Sequence, residues 1–243
     1  MTKGLTLDRF RILSSSMLKL IAVITMFIDH SALLLAPEIS LMTEPFFTVG
    51  SQTVTLYYLM RKIGRISFPI FCFLITEGFS HTRSKKRYAF NLLLFAVISE
   101  IPFNIMKSGQ VFNLKVQNVF FTLFLGVLML YIFENARTEL FKAVLLTAVA
   151  LVAMFLKCDY GLPGVLLILL MYVLKKHPAV QAVLAYPLLS GGFFAWLAFI
   201  PINMYNGNRG FIRSGALKYA FYIFYPLHIL ILVAIKLVLI KHI

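Results

Sequence analysis

Long apolar runs separated by short polar segments constrain this sequence more than any other feature. A hydrocarbon core roughly 30 Å thick requires about 17 to 25 apolar residues from each helix that crosses it. Residues 17–36 form one such run, and comparable runs recur along the 243-residue chain. The alternating pattern typical of transmembrane barrels is absent from the sequence. The sequence therefore predicts an all-α fold, a polytopic transmembrane helical bundle.

The composition supports a membrane protein, and the distribution of the basic residues explains the positive net charge without nucleic-acid binding. Hydrophobic residues make up 60% of the chain and charged residues only 13%. The formal net charge of +14 would suggest nucleic-acid binding in a soluble protein. Here the Lys and Arg residues lie mostly in short segments between apolar runs, where the positive-inside rule accounts for them. We therefore expect the chain to contact a lipid bilayer and no nucleic acid.

The predicted organisation is a single integral-membrane domain over residues 1–243 with about eight or nine spans. The positive-inside rule places the basic segment 1–16 and the loop HTRSKKRY, residues 81–88, in the cytoplasm. The span count is open because residues 178–205 could form one long tilted helix or two short helices hinged at residues 190–192. The other helices are expected at residues 17–36, 66–79 after an interfacial start at 57–65, 88–106, 118–133, 140–156, 160–174 and 219–240.

The stretch FIDHSALLL, residues 27–35, places Asp29 and His30 in the outer half of the first predicted helix. A charged side chain at the centre of a spanning helix costs about 2.5 to 3.5 kcal/mol. Adjacent helical positions point about 100° apart, so one residue can line a cavity while the other pairs with a neighbouring helix. Two interpretations stay open. Asp29 could form a buried contact with an arginine that fixes helix register, or His30 could be a base or nucleophile that Asp29 supports.

Two further pairs of polar residues flank the second apolar run. Arg61 and Arg65 are four residues apart and share a helical face, where they could neutralise carboxylates or bind a phosphate. Snorkelling to the membrane interface is the alternative. Glu77 precedes His81 by four residues at the other end of the run, where an exposed ion pair or helix cap would also explain both.

Two later helices carry ionisable residues beside a proline. Glu100 precedes Pro102, and His228 follows Pro226 within the last apolar run. Proline removes a backbone hydrogen bond and can kink a helix, so each residue is a candidate for a functional site. The alternative for Glu100 is a structural pair with Arg61 or Arg65. Asn118 stands where the fourth helix begins and is expected to cap it.

The sequence motifs of several common kinds of active site are absent from this chain. There is no glycine-rich phosphate loop, HExxH motif or GxSxG elbow, and Cys72 and Cys158 lack metal-type spacing, so no metal is predicted. A proton-coupled transporter could use the same carboxylates and histidines, although no inverted repeat supports alternating access.

Six blocks of the sequence, in order, resemble the TraX family of membrane proteins. The blocks are LKLIAVITMFIDHSALLL, the run from RKIGRISFP to SEIPFNI, QNVFFTLFLGVLMLY, YGLPGVLLILLMY, MYNGNRG and FYIFYPLHILIL. The resemblance covers about residues 18–238 and is most specific over residues 61–103. The family takes its name from a conjugation protein that acetylates the amino terminus of pilin in the bacterial inner membrane. It is also similar to membrane acyltransferases that use cytoplasmic acyl-CoA.

The resemblance implies a multi-pass acyltransferase of the bacterial inner membrane, with acetyl-CoA as donor and an amine or hydroxyl acceptor such as a pilin-like peptide. His30 would then be the base or nucleophile, Asp29 its support and Arg65 the group that stabilises oxyanion charge. The predicted catalytic residues are His30, Asp29, Arg65, Glu100 and His228. The predicted donor-binding residues are Arg61, Glu77, His81, Arg83, Lys86 and Arg209. A non-enzymatic scaffold of conjugation or pilus assembly and a proton-coupled transporter are the competing classes.

Overall fold

The computed structural model describes residues 10–212 and 215–242, and most of them are helical. The helices are α1 (Ser15–Leu35), α2 (Leu56–Gly64), α3 (Ser67–His81), α4 (Lys85–Ser108), α5 (Val119–Asn135), α6 (Glu139–Phe155), α7 (Gly161–Val173), α8 (Pro178–Ala185), α9 (Gly192–Trp196), α10 (Phe199–Asn203) and α11 (Gly215–His242). The predicted helices lie within a few residues of these bounds. Residues 1–9 of the predicted basic segment lie outside the described residues.

Polar side chains set the starting points of most long helices. Ser14, Thr55, Ser84 and Thr138 each accept a hydrogen bond from a backbone N–H in the first turn of the helix that follows. These caps satisfy amide groups that have no partner within the helix. Asn118 does the same for α5 through its contact with the Phe120 amide, which confirms the cap predicted there.

A short antiparallel hairpin lies in the loop between α1 and α2. Strands β1 (Pro45–Val49) and β2 (Gln52–Thr55) pair across a turn in which Gly50 adopts a positive φ. The aromatic and β-branched residues of PFFTV favour an extended strand, and glycine allows the tight turn. The sequence interpretation treated this segment only as a loop.

The helix bundle has two ends that differ in charge. α3 and the preceding α2 run antiparallel to α1, since Gly64 lies against Asp29 and Ser67, three residues later, donates to the carbonyl of Ala22. The end where α1 begins, here the basic end, carries exposed cations of several loops, including Arg83, Lys86 and Arg209. The opposite end, here the hairpin end, contains the β-hairpin and the loops at residues 109–117 and 156–160.

Four helical segments are long and apolar enough to cross a membrane. They are Ser15–Leu35, Leu56–His81, Lys85–Ser108 and Tyr219–Lys241. α5 and α7 are apolar but shorter, and the 13 residues of α7 extend only about 20 Å. The protein is thus a helical membrane protein, and the expected count of eight or nine spans is not confirmed.

Residues 178–203 fold into two short helical arms that begin and end at the basic end. Lys175, just before the first arm, contacts the hydroxyl of Ser80 at 3.3 Å, and Tyr205, just after the second, forms a bridge with Leu13. The arms are joined by a hydrogen bond of 2.9 Å from the Trp196 indole to the Ala182 carbonyl. The chain turns at residues 189–191, close to the predicted hinge. The structure therefore has the two short helices hinged near residue 190 and not the single tilted helix, and each arm is shorter than the four segments long enough to cross a membrane.

Candidate functional site

Two histidines from helices far apart in the sequence meet inside the bundle. His30 of α1 and His228 of α11 place Nδ1 and Nε2, respectively, 2.7 Å apart, and their rings are nearly parallel at 4°. His228 is 2% exposed. Phe224 stacks on His228 with ring centroids 4.6 Å apart, and Tyr225 contacts the edge of both imidazoles. The structure therefore brings together two of the predicted catalytic residues.

The hydrogen bonds of these histidines define where their protons lie. His228 Nδ1 is 2.7 Å from the carbonyl oxygen of Phe224, which can only accept, so Nδ1 donates. In a neutral imidazole the other nitrogen then accepts, and His30 Nδ1 must supply the proton. The described residues make no hydrogen bond to His30 Nε2. With both rings neutral, that nitrogen carries a free lone pair.

Asp29 pairs with an arginine of the neighbouring helix. Arg61 Nη1 lies 2.5 Å from Asp29 Oδ2, and the two side chains are 19% and 16% exposed. α2 reaches α1 closely because Gly64 has no side chain, and a Cβ there would overlap the Asp29 carboxyl group. Asp29 Oδ1 is buried and has no hydrogen-bond partner. As the sequence predicted, Asp29 and His30 point to different neighbours.

Further charged groups lie within electrostatic range of this pair. Asp29 interacts with Arg65, Asp159 and Lys107 as well as with Arg61. Arg65 ends α2 at the point where the tip of the short-armed segment packs, since a Cβ at Gly191 would meet the Arg65 side chain. We use the term inter-helix site for the set His30, His228, Asp29, Arg61, Arg65 and Asp159.

Asp159 is the member of the inter-helix site that sequence reasoning missed. Its backbone amide donates to the Gln117 carbonyl at 2.7 Å, and its carbonyl accepts from the Thr122 hydroxyl. Burial raises the pKa of the Asp159 carboxyl group, whereas Lys107 and the arginines of α2 act in the opposite direction. The available signal was an aspartate in the three residues between two predicted helices, 140–156 and 160–174.

Glu100 lies against the start of α5 rather than against an arginine. Its Oε2 accepts from the Asn118 side-chain amide at 2.5 Å, while that amide also contacts the Ala96 carbonyl at 2.7 Å. Its Oε1 is buried without a partner. The alternative of a structural pair with Arg61 or Arg65 is therefore wrong. Among the described residues, no cluster of three or more His, Cys, Asp or Glu side chains could hold a metal.

The remaining predicted donor-binding residues lie at the basic end, away from His30. His81 is 72% exposed, and its Nδ1 is 2.9 Å from the Glu77 carbonyl and 3.9 Å from the Glu77 carboxylate. Arg83 and Lys86 are exposed in the loop before α4 and in its first turn. Arg209 uses its backbone carbonyl to accept from the hydroxyl of Ser16 at 2.6 Å. Only Arg61 of this predicted set reaches the inter-helix site.

Comparison with known proteins places these residues in a family. The sequence matches the family described as TraX protein over residues 14–236. A probable fimbrial assembly protein, FimC of serogroup H1, from Dichelobacter nodosus is 32% identical to this chain over an alignment of 255 residues. The alignment covers 93% of this chain and 97% of the relative. An uncharacterized protein, RP591, from Rickettsia prowazekii (strain Madrid E) is 30% identical over 125 residues, or 51% of this chain and 40% of that protein. No solved structure gives a significant match.

Proposed function

This chain belongs to the TraX family, and from that membership we propose that it is a membrane-embedded acyltransferase that moves an acetyl group from acetyl-CoA to an amine. The observation that carries the proposal is the contact between His30 and His228, which leaves His30 Nε2 with a free lone pair. A protonated amine must lose a proton before it can attack a thioester, and a neutral histidine is suited to take it. The name of the FimC relative, a probable fimbrial assembly protein, supports a role in fimbrial or pilus assembly.

The hydrogen-bond chain of the two histidines gives each a separate role. His30 is the base because its Nε2 is the ring nitrogen that takes no part in the hydrogen bond between the two histidines. His228 holds the His30 ring in one tautomer through the 2.7 Å contact, and the Phe224 carbonyl fixes His228 in turn. Once His30 Nε2 takes a proton, its charge spreads to the Nδ1–H that donates to His228. This arrangement is the orienting logic of a base held by a third group.

The cationic groups of the inter-helix site suit the charge that develops on a thioester oxygen. Arg61 is already paired with Asp29 at 2.5 Å, whereas the Arg65 guanidinium makes no hydrogen bond to the described residues. A cation held in a site of low dielectric stabilises an oxyanion more strongly than it would in water. We therefore assign the stabilisation of the oxyanion to Arg65. The role assigned to Asp29 is to hold Arg61 in place. Glu100 is assigned to holding the start of α5 through Asn118.

The charge difference between the two ends supports an orientation in the bacterial inner membrane. Cytoplasmic segments carry an excess of Lys and Arg, so we assign the basic end and the amino terminus to the cytoplasm. The CoA phosphates would then meet Arg83, Lys86 and Arg209, which are exposed there. His30 lies 15 residues beyond the start of α1, or about 22 Å along the helix. The acyl arm of CoA would have to extend into the bundle to reach it.

A non-enzymatic assembly scaffold is the second candidate, because the relative's name states assembly and no reaction. One experiment separates the two. Purified protein in detergent is mixed with acetyl-CoA labelled in the acetyl group and a short peptide with a free amino terminus. The enzyme transfers label to that peptide and not to the same peptide already acetylated. A folded protein that neither transfers the label nor hydrolyses the donor would be a scaffold.

A further inference from the structure

The two carboxylates of the inter-helix site differ in their contacts, since that of Asp29 pairs with Arg61 and that of Asp159 has no hydrogen-bond donor among the described residues. The backbone of Asp159, by contrast, is fixed on both sides by Gln117 and Thr122. Two non-glycine neighbours adopt left-handed backbone conformations, Lys157 with φ 50° and Tyr160 with φ 67°. Such conformations are costly for residues with a side chain. The turn therefore holds Asp159 firmly while leaving its carboxylate available.

The location of Asp159 links it to the proposed base. It interacts electrostatically with Asp29, the neighbour of His30 in α1. It also interacts with the buried Tyr225, whose ring centroid lies 6.0 Å from that of His30. Tyr225 thus contacts the imidazole of His30 and lies within electrostatic range of the Asp159 carboxylate.

We propose that Asp159 binds the ammonium group of the acceptor and so selects an amine rather than a hydroxyl substrate, an inference that rests on the proposed acetyl transfer. A carboxylate without an internal donor is the natural partner of a substrate cation, and such a bond is stronger than one between neutral groups. A hydroxyl acceptor would leave the same carboxylate only partly compensated.

The cations that face Asp159 help the bound ammonium to react. Lys107 of α4 and the two arginines of α2 act electrostatically on Asp159, and Asp29, Tyr160 and Tyr225 face it as well. Positive charge near the bound ammonium disfavours its charged form and so opposes the effect of the Asp159 carboxylate, and this helps the proton to leave. The acceptor loses two protons overall as the N–C bond forms and the C–S bond breaks. One passes through His30 Nε2 to the departing CoA sulfur, and the other is released to solvent.

The surface near Asp159 gives the acceptor a route from the hairpin end. Lys157, two residues before Asp159, lines a groove together with Phe112, Leu114 and Phe155. This groove opens where the loops at residues 109–117 and 156–160 meet. A peptide could therefore lie in the groove with its amino terminus at Asp159. The acceptor would approach from the end opposite to the exposed cations that suit the donor.

Peptide binding measured without any donor tests the inference. A short peptide with a free amino terminus and the same peptide N-acetylated are titrated into the purified full-length protein in detergent at pH 7. We expect the wild type to bind the free amine about tenfold more tightly, the value of one charged hydrogen bond. Asp159→Asn should remove this preference, whereas Asp159→Glu should retain part of it. Glu139→Gln, which neutralises an 88% exposed carboxylate at the start of α6, is the matched control and should behave as wild type.

Each result supports or overturns the assignment. A wild type that binds both peptides equally, or an Asp159→Asn protein that keeps the tenfold preference, would overturn it. If Asp159→Asn does not fold, competition of the free-amine peptide by butylammonium on the wild type decides instead, and absence of competition overturns it. If the amine preference holds but labelled acetyl-CoA gives no transfer, the proposed reaction fails while the ammonium site stands.

Discussion

The inter-helix site and the basic end contain the same kinds of side chain but combine them differently. In the inter-helix site, His30 and His228 are 198 residues apart in sequence and 2.7 Å apart in space, and Asp29 pairs with Arg61 of another helix. At the basic end, ion pairs are more exposed to solvent, both between helices, as for Lys85 and Glu134, and within one helix. Glu139, 88% exposed, contacts Lys142 three residues on at 2.8 Å.

This difference in exposure indicates which polar residues are candidates for a catalytic or binding role. An exposed ion pair contributes about 0 to 1 kcal/mol because water and salt screen it. Groups removed from water interact more strongly, and a polar atom left unpaired there is costly. Contact between different helices in a buried position is therefore a better sign of function than spacing along one helix.

The largest expected effect is on catalysis. Replacing His30 with Ala removes the proposed base, and we expect labelled acetyl transfer to fall by about 10³-fold, within the usual range for general-base catalysis. His177→Ala changes an exposed histidine at the basic end and should leave transfer within about twofold of wild type. Circular dichroism and thermal unfolding serve to show that both variants are folded. Transfer retained by folded His30→Ala would remove His30 from the catalytic role.

A second effect concerns stability. Asp29→Ala leaves Arg61 unpaired in a largely buried position, and we expect a loss of about 2 kcal/mol in the free energy of unfolding, below the usual range for fully buried pairs. Glu139→Ala breaks an exposed pair and should cost less than about 1 kcal/mol. Unfolding in mixed detergent measures both. Equal losses in the two variants would contradict the contrast between the two regions.

A smaller effect is expected at His228. His228→Phe removes the hydrogen bond to His30 Nδ1, and a buried hydrogen bond of about 2 kcal/mol corresponds to roughly a thirtyfold fall in kcat. His228→Gln can still accept from His30 and should recover part of the loss. The pH profile of kcat should move in His228→Phe because the tautomer of His30 is no longer fixed. An unchanged profile in both variants would make His228 a packing residue.

Local features of the fold could be predicted from sequence because they depend on neighbours in the chain. The apolar runs gave the helices α1 and α4 to α7 within a few residues, and Asn118 was recognised as a cap by its position before an apolar run. The 100° separation of Asp29 and His30 follows from helix geometry alone. Even the break near residue 190 was visible from its serine and glycines.

Long-range contacts could not be predicted in this way. Nothing in the spacing of His30 and His228 indicates that α1 and α11 are neighbours, and the partner of Glu100 proved to be an amide rather than an arginine. Asp159 was overlooked because its neighbours in sequence form an ordinary turn, whereas its importance comes from α1, α2 and α4. Such contacts depend on the packing of the whole bundle.

The proton position on His30 tests the central claim most directly. The protein contains five histidines, so ¹⁵N NMR of histidine-labelled protein, compared with a His30→Gln sample, can isolate the two nitrogens of this ring. At neutral pH we expect a protonated Nδ1 and an unprotonated Nε2. A spectrum in which His30 Nε2 carries the proton and Nδ1 does not would contradict the proposed base and the hydrogen-bond chain behind it.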